Sequence, residues 1–292
     1  NFLCRYSLQT SLFCIMLLLM AGQLQGQERV EVITRDDITP KVSLFERLKG
    51  DFLVAPYYTG RTGAGGVLAY SIGDKFLFTG NVSHGESLSV MMFKARYMFA
   101  LSPSLGIGPA AGYSRIKWKG EEETTAFSAG GVVQYDTRNS VAAPSEGVFA
   151  AVRHTNYSDF SSSAYFGTVL QFDTYSQTWN GGVLALDANC EFMYGNVPWN
   201  MLSTIGDSQR MRGYQMWKYR NNNALSVQVE LRQRVHGMFG MAAWVAGAVL
   251  WGKDTRFSMD NFLPDAGVGV RCRLVDNLSL RLDWGFGKKG QN

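Results

Sequence analysis

Alternation of apolar and polar residues is the strongest pattern in this chain, and it is clearest near the C-terminus. Residues 224–232, ALSVQVELR, alternate without an error, and residues 278–284, LSLRLDW, repeat the pattern. Successive side chains of a β-strand point to opposite faces, so each stretch has one apolar face and one polar face. Weaker alternation in segments of about ten residues fills most of the chain, which is typical of a wall between lipid and water.

Glycine-rich or polar turns divide the chain from residue 51 onward, and the pattern predicts an all-β fold, an antiparallel transmembrane β-barrel of about 13 strands. One connection, 196–221, shows no clear alternation, and loops of that length are usually functional or disordered. We place the predicted strands near 51–60, 64–72, 75–83, 88–99, 104–116, 124–137, 147–158, 163–176, 179–194, 222–235, 238–251, 265–275 and 278–287.

The N-terminus predicts a signal peptide over residues 1–26. Arg5 supplies positive charge, residues 12–21 are an unbroken apolar run, and small residues follow. That run is too short to cross a bilayer as a helix, which takes roughly 20 residues; the alternative is an N-terminal anchor or a buried helix. We interpret 27–50 as a short N-terminal periplasmic segment and 51–292 as the barrel.

An odd strand number does not suit a closed antiparallel barrel with both ends on one side of the membrane. The chain begins with Asn rather than Met and stops directly after a predicted strand. We therefore expect a fragment that lacks its closing strand, from a parent barrel of about 14 strands, within about 12–16.

Composition narrows the class of protein. Glycine is abundant (32) and proline scarce (7), which favours a barrel over a soluble β-sandwich whose strands also alternate. The net charge of +4 is spread along the chain, so we expect no nucleic-acid partner. Cys190 and Cys272 lack metal-binding spacing; we favour two lone cysteines over a disulfide. The pattern indicates no metal and no cofactor.

Three segments, taken in order, carry a family resemblance. They are 131–140 (GVVQYDTRNS, followed by Pro144 and Gly147), 205–214 (IGDSQRMRGY), and 267–271 with 280–285 (GVGVR and LRLDWG). Each is weak alone, but their order and spacing resemble the bacterial surface antigen barrel of the BamA/TamA-type outer-membrane assembly factors. The resemblance covers roughly 50–292, and the family's barrel fold agrees with the alternation.

The resemblance implies that 205–214 is a hairpin that folds from an extracellular loop into the barrel lumen, with Arg212, Gly213 and Tyr214 as its motif. Family members pair this arginine with a glutamate on the following strand, and Glu230 matches that place. They often add an aspartate one strand later, which is absent here, so we expect either a weaker loop anchor or Asp283 as the substitute.

The alternation supports the same two partners independently. The polar face of 224–232 puts Glu230 inside, and the parity of Asp283 with Arg281 also points inward. A buried guanidinium without a partner is costly, so Arg212 on an inward-folded loop needs an anion. The alternative is a solvated loop arginine.

The first segment supplies a strand and turn motif. Its alternation puts Gln134, Asp136 and Arg138 on the lumenal face and Val133 and Tyr135 toward lipid. The alternative is that Asp136 and Arg138 form an ordinary ion pair at the end of a strand. Pro144 and Gly147 are turn-forming residues on either interpretation. The motif residues are Tyr135, Asp136, Arg138, Pro144 and Gly147.

The resemblance implies an integral barrel of the bacterial outer membrane that assists insertion or translocation of outer-membrane proteins or lipids. Its partners would be outer-membrane lipid, client outer-membrane proteins and accessory lipoproteins. The signal leads almost directly into strands, so we expect no POTRA domains, and that puts client delivery in doubt. The alternative is a passive pore or structural barrel without assembly activity.

An enzyme built on barrel side chains is the third class. It would need a Ser or Asp nucleophile beside an activating base. His84 and His236 lie in predicted turns, and His154 lies on a predicted strand with no obvious partner. We therefore predict no catalytic residue and no enzyme.

Overall fold

The structure, a computed structural model, describes residues 29–32, 51–59, 63–72, 75–140, 143–159, 164–207, 209–215, 218–275 and 278–288. The predicted signal peptide, 1–26, lies outside these residues. Of the predicted periplasmic segment, 27–50, only 29–32 are described, and they form a strand.

The described residues form seventeen strands, fifteen of them in one antiparallel sheet and two in a separate short hairpin. The strands are β1 (Arg29–Val32), β2 (Asp51–Thr59), β3 (Gly63–Ile72), β4 (Phe76–His84), β5 (Leu88–Tyr97), β6 (Phe99–Ala100), β7 (Leu105–Trp118), β8 (Thr124–Asp136), β9 (Gly147–Ser158), β10 (Ala164–Trp179), β11 (Gly182–Gly195), β12 (Ser203–Thr204), β13 (Arg220–Asn221), β14 (Asn223–His236), β15 (Phe239–Trp251), β16 (Leu263–Val275) and β17 (Leu278–Phe286).

Strands that follow one another in the chain lie side by side in the large sheet. The order is β2-β3-β4-β5-β7-β8-β9-β10-β11-β14-β15-β16-β17-β1, with β6 paired to β7. Of the fifteen strands in this sheet, thirteen are long and two, β1 and β6, are short. This arrangement confirms the predicted all-β antiparallel architecture. The hydrogen-bonded path ends at β1 and β2, and within the described residues it is not closed between them.

Strand β14 shows why the alternation produces a two-faced wall. Ser226, Gln228 and Glu230 are buried, while Val227 and Val229 are 41% and 39% exposed. Because every second side chain points the same way, the polar residues line the inner face and the apolar residues lie outside. Glu230 therefore lies on the buried inner face of the sheet.

The connections differ between the two ends of the sheet. At one end, which we call the turn end, β10–β11 and β14–β15 are joined by two-residue turns. Gly181 and Gly237 occupy these turns with φ of +73° and +54°, a conformation that disfavours residues with a Cβ. At the other end, the loop end, the long connections 196–222 and 252–262 emerge. None of the described helices has the length and apolar character needed to cross a bilayer.

Candidate functional site

The connection 196–221, which we call the inner loop, is described at residues 196–207, 209–215 and 218–221, and these residues have a defined conformation. A 3-10 turn at Trp199–Met201 comes first, and the β12–β13 hairpin then closes the base of the loop. At the tip, the Asp207 carboxylate accepts hydrogen bonds from the backbone N–H groups of Gln209 at 2.6 Å and Arg210 at 2.5 Å. A carboxylate that bonds the chain two and three residues on fixes a tight turn.

Arg212 extends from this tip into a buried ionic site. Its guanidinium bonds the Glu230 carboxylate on β14, and its Nη1 lies 3.4 Å from Asp283 Oδ2 on β17 without hydrogen-bond alignment. The Nε–H donates to the Gln209 carbonyl at 3.0 Å, and Cζ lies 4.1 Å from the centre of the Trp244 ring. The structure thus brings together Arg212 and the two carboxylates named as its partners from the sequence.

Three further arginines join the same two carboxylates. Arg232 donates to Glu230 at 2.6 Å, Arg281 donates to Asp283 at 3.1 Å, and Arg271 bonds Asp283 while lying 3.7 Å from Glu230. Sequence analysis missed Arg232 and Arg271, although both fall on the inward parity of their strands. We call the group the ionic anchor; its members are Arg212, Glu230, Arg232, Arg271, Arg281 and Asp283.

Gly213 lets the loop backbone approach the wall at van der Waals distance. Its N–H donates to Asp265 Oδ1 on β16 at 2.9 Å, and Trp244 Nε1–H donates to Oδ2 of the same carboxylate at 3.0 Å. A Cβ added to Gly285 on β17 would lie 2.5 Å from the Gly213 nitrogen. Asp265 was not predicted from the sequence. The aspartate expected from the family resemblance would lie on β15, the strand before Asp265, and β15 instead contributes Trp244, whose indole donates to Asp265.

Tyr214 binds the loop to β16 and to the residue that follows β17. Its hydroxyl donates to the Pro264 carbonyl at 2.7 Å and accepts from the Lys288 N–H at 3.0 Å. Burial raises the pKa of the Tyr214 hydroxyl, so it stays protonated at neutral pH. Met211 and Ile205 pack beside it as buried apolar residues.

Arg210 makes a second ionic contact that the sequence did not predict. Its Nε and Nη2 donate to the two oxygens of Asp187 on β11 at 2.6 and 2.7 Å, and Asp173 on β10 lies 3.9 Å away. Burial lowers the pKa of Arg210, but the adjacent carboxylates, Asp187 foremost, raise it further, so the net shift is upward. This bidentate pair is a strong type of charge-assisted contact.

The base of the inner loop contacts the opposite part of the sheet. The Trp199 and Trp118 rings lie 5.6 Å apart, and the Arg220 guanidinium lies 4.5 Å from the first and 5.4 Å from the second. Met201 packs against three buried residues of β5 and β7. We call this group the aromatic anchor; its members are Trp118, Trp199, Arg220, Met201 and the cluster Leu88, Val90 and Ile116. Since the loop contacts both β5–β7 and β10–β17, it lies inside the curved sheet.

The strand and turn motif lies near the ionic anchor. Arg138 donates to Asp136 at 2.8 and 2.9 Å, and its guanidinium lies 4.3 Å from the Phe149 ring centre. Arg232 links the two sites, because it bonds the Pro144 carbonyl at 3.4 Å as well as Glu230.

Tyr135 and Gly147 belong to the same motif. Tyr135 is 44% exposed on the outer face, as its parity requires. Gly147 has φ of +106°, and a Cβ there would collide with the backbone of Thr137, so the turn requires glycine.

His154 has partners that sequence analysis did not find. Its Nδ1 lies 2.9 Å from the Thr168 hydroxyl, which lies 2.5 Å from the Tyr194 hydroxyl. All three are on the outer face, where no nearby motif pointed to them. Cys190 and Cys272 are free thiols. Within the part of the chain that the structure describes, no group of His, Cys, Asp and Glu can hold a metal ion.

Comparison with protein-family models finds no match, and comparison with curated proteins finds none either. Solved structures do match. BamA from Haemophilus ducreyi lacking POTRA domains 1–3 has a TM-score of 0.58 at 10% identity, covering 89% of this chain and 75% of that one. The chain has a BamA-like barrel fold. CdiB from Acinetobacter baumannii has a TM-score of 0.49 at 10% identity, covering 90% and 78% of the two chains.

Proposed function

We propose that this chain is an integral outer-membrane β-barrel, closed inside by the inner loop, that assists insertion or translocation of outer-membrane proteins or lipids. One observation carries the proposal: Arg212 is held by Glu230 and Asp283 on the inner face of a sheet whose outer face is apolar. Such an arrangement suits hydrocarbon outside and a filled polar interior.

The outer face supports a membrane location. Large apolar side chains point outward along neighbouring strands, among them Val245 (63% exposed), Met241 (56%) and Val268 (49%). Soluble monomers rarely expose apolar surface over so many adjacent elements. Between the two edge strands β1 and β2, every strand of the path is paired to its neighbours through backbone hydrogen bonds, which is what a bilayer core requires of a spanning structure. The BamA-like fold and the predicted export signal together favour the bacterial outer membrane.

The inner loop supports a closed interior. Its tip is bound to β11, β14, β16 and β17, and its base contacts β5 and β7. A segment fixed at two opposite parts of the wall occupies the interior instead of leaving an aqueous channel.

The assembly role is supported by the family resemblance and by the edge of the sheet. The path of paired strands ends at β2, and an extended client segment could add there through backbone hydrogen bonds. Opening at this edge requires a wall that stays intact elsewhere, and the ionic anchor holds β14, β16 and β17 together at the other end of the path, next to β1.

The test uses the full chain in vesicles with an unfolded outer-membrane barrel as client. Folding of the client is followed on gels of unheated samples, in which the folded and unfolded client migrate differently. We expect faster folding in vesicles that contain the chain, and a smaller acceleration with Glu230→Gln, because the loop anchor is weakened. Glu123→Gln, at an exposed ion pair, is the matched control. Equal folding rates with and without the chain would reject the assembly role.

A passive structural barrel is the second candidate, because the ionic anchor fixes the loop through four arginines on two carboxylates. Conductance across a planar bilayer, measured before and after deletion of residues 200–220, tests whether the interior is closed. A closed interior predicts low conductance that rises on deletion. High conductance that the deletion leaves unchanged would contradict the closed interior.

A further inference from the structure

The outer face over β8–β11 carries a shallow groove. In the register, Ala150 on β9 lies between Tyr135 on β8 and Phe172 on β10, and Ala188 follows on β11. Small side chains between large ones leave a depression, and the groove is lined almost entirely by apolar atoms. Its lining also includes outward residues one step nearer the loop end, such as Val152 and Leu170.

A hydrogen-bonded polar cluster lies at the loop end of this groove. His154 is the next outward residue after Val152 on β9, and Thr168 is the next after Leu170 on β10; the two are direct register partners. His154 Nδ1 lies 2.9 Å from Thr168 Oγ1, and Tyr194 Oη lies 2.5 Å from the same oxygen. Phe166 stacks beside them, with its ring centre 6.3 Å from that of His154.

The cluster has one unmet hydrogen-bonding group. If Tyr194 donates to Thr168 and Thr168 donates to His154 Nδ1, the imidazole carries its proton on Nε2. Among the described residues, no group forms a hydrogen bond with that nitrogen. An N–H that faced hydrocarbon without an acceptor would be costly, so this side chain belongs at the level where polar headgroups begin. The neighbouring tyrosine is a residue type enriched at that level.

We propose that the groove and the cluster together bind one membrane glycerophospholipid, with an acyl chain in the groove and a phosphate or ester oxygen accepting from His154. The inference rests on the proposed function, since it needs the outer face to meet lipid. The wall from Ala150 to His154 spans about 13 Å at 3.3 Å per residue, close to the ~15 Å of hydrocarbon in one leaflet. The apolar groove and the donor at its end match the two parts of such a lipid.

The test uses the full chain in phosphatidylethanolamine and phosphatidylglycerol vesicles with a trace of phospholipid that carries a photoreactive acyl chain. Cross-linked peptides are located by mass spectrometry. We expect label concentrated on β9–β11. Ala150→Trp fills the groove and should lower that labelling roughly fivefold, since it removes apolar contact area. The double change His154→Ala and Thr168→Val should lower it roughly three- to tenfold through lost hydrogen bonding.

Val245→Trp is the control, because it adds the same bulk at an outward position on β15 outside the groove. Label spread evenly over the outer face, or unchanged by Ala150→Trp, would overturn the inference. Stronger competition by lipid A than by unlabelled phospholipid would overturn the glycerophospholipid as occupant. Vesicle flotation distinguishes failure of this inference from failure of the proposed function. A chain that does not float with vesicles contradicts the proposed function itself.

Discussion

The two anchors of the inner loop hold it by different physical means. At the tip, the ionic anchor binds Arg212 through buried carboxylates on β14 and β17. At the base, the aromatic anchor binds Trp199 and Met201 through ring contacts and apolar packing on β5 and β7. A broken buried ion pair leaves an uncompensated charge, whereas a lost ring contact leaves a space that water or neighbouring side chains can fill. The tip should therefore be the more sensitive of the two.

Glu230→Gln should give the largest effect. Glu230 is 2% exposed and contacts Arg212, Arg232 and Arg271. Removal of its charge leaves buried guanidinium groups in excess, and we expect a loss of about 3–5 kcal/mol in the free energy of unfolding. Urea unfolding of the chain folded in detergent measures it. A loss as small as that of an exposed-pair variant would show that the ionic anchor does not hold the loop.

Gly285→Ala should come next. The added Cβ would lie 2.5 Å from the Gly213 nitrogen and 2.6 Å from the Arg212 carbonyl carbon, so the loop tip must move. Overpacking of this kind costs about 1–3 kcal/mol. Gly131→Ala is the matched control, since its Cβ would meet only the Gly108 oxygen at 3.7 Å. Equal urea midpoints for the two variants would contradict close contact between the loop and β17.

Trp199→Ala should have a smaller effect. It removes the ring beside Trp118 and the cation–π contact with Arg220, and we expect a loss of about 1–2 kcal/mol. The double variant with Glu230→Gln sharpens the comparison. If the anchors act independently, the two losses in unfolding free energy add within about 0.5 kcal/mol. A coupling clearly beyond that range would mean that the loop detaches as one unit.

Glu123→Gln should have the smallest effect and a defined pH dependence. The Arg115 side chain lowers the pKa of Glu123 through a hydrogen bond and its charge, at an exposed site between β7 and β8. A lowered folded-state pKa stabilises the protein above the unfolded-state pKa, and this contribution is lost as pH falls through the folded-state value. Unfolding at pH 7 and pH 3 should show a larger difference between wild type and variant at pH 7 than at pH 3. A larger difference at pH 3 would contradict the sign.

The alternation made much of the wall predictable. Because strand side chains alternate with a period of two, β14 could be assigned with its inward Glu230. The predicted strand bounds differ from those observed by at most three residues, at the end of β10 and the start of β11. The partner of Arg212 could be anticipated because the family resemblance places a glutamate on the following strand, the parity of that strand puts Glu230 inside, and a buried guanidinium requires an anion. These features depend on local pattern and on one motif.

The other contacts depend on how deep the loop enters and how the sheet curves. Arg210 meets Asp187 on β11 and Trp199 meets Trp118 on β7, although each pair is far apart in the chain. No periodicity specifies such distances. Asp265 was missed because it follows Pro264 at the start of β16, before the alternation of that strand becomes clear.

The central claim is that one wall separates lipid from a filled interior, and a nitroxide scan along β14 tests it most directly. Spin labels are placed singly at residues 225–231 of the chain in vesicles, and their collision rates with oxygen and with a water-soluble nickel complex are measured. We predict that labels at Val227, Val229 and Leu231 collide with oxygen, as lipid-exposed sites do, while labels at Ser226, Gln228 and Glu230 do not. Collision rates without a period of two, or nickel contact at the odd positions, would contradict the account.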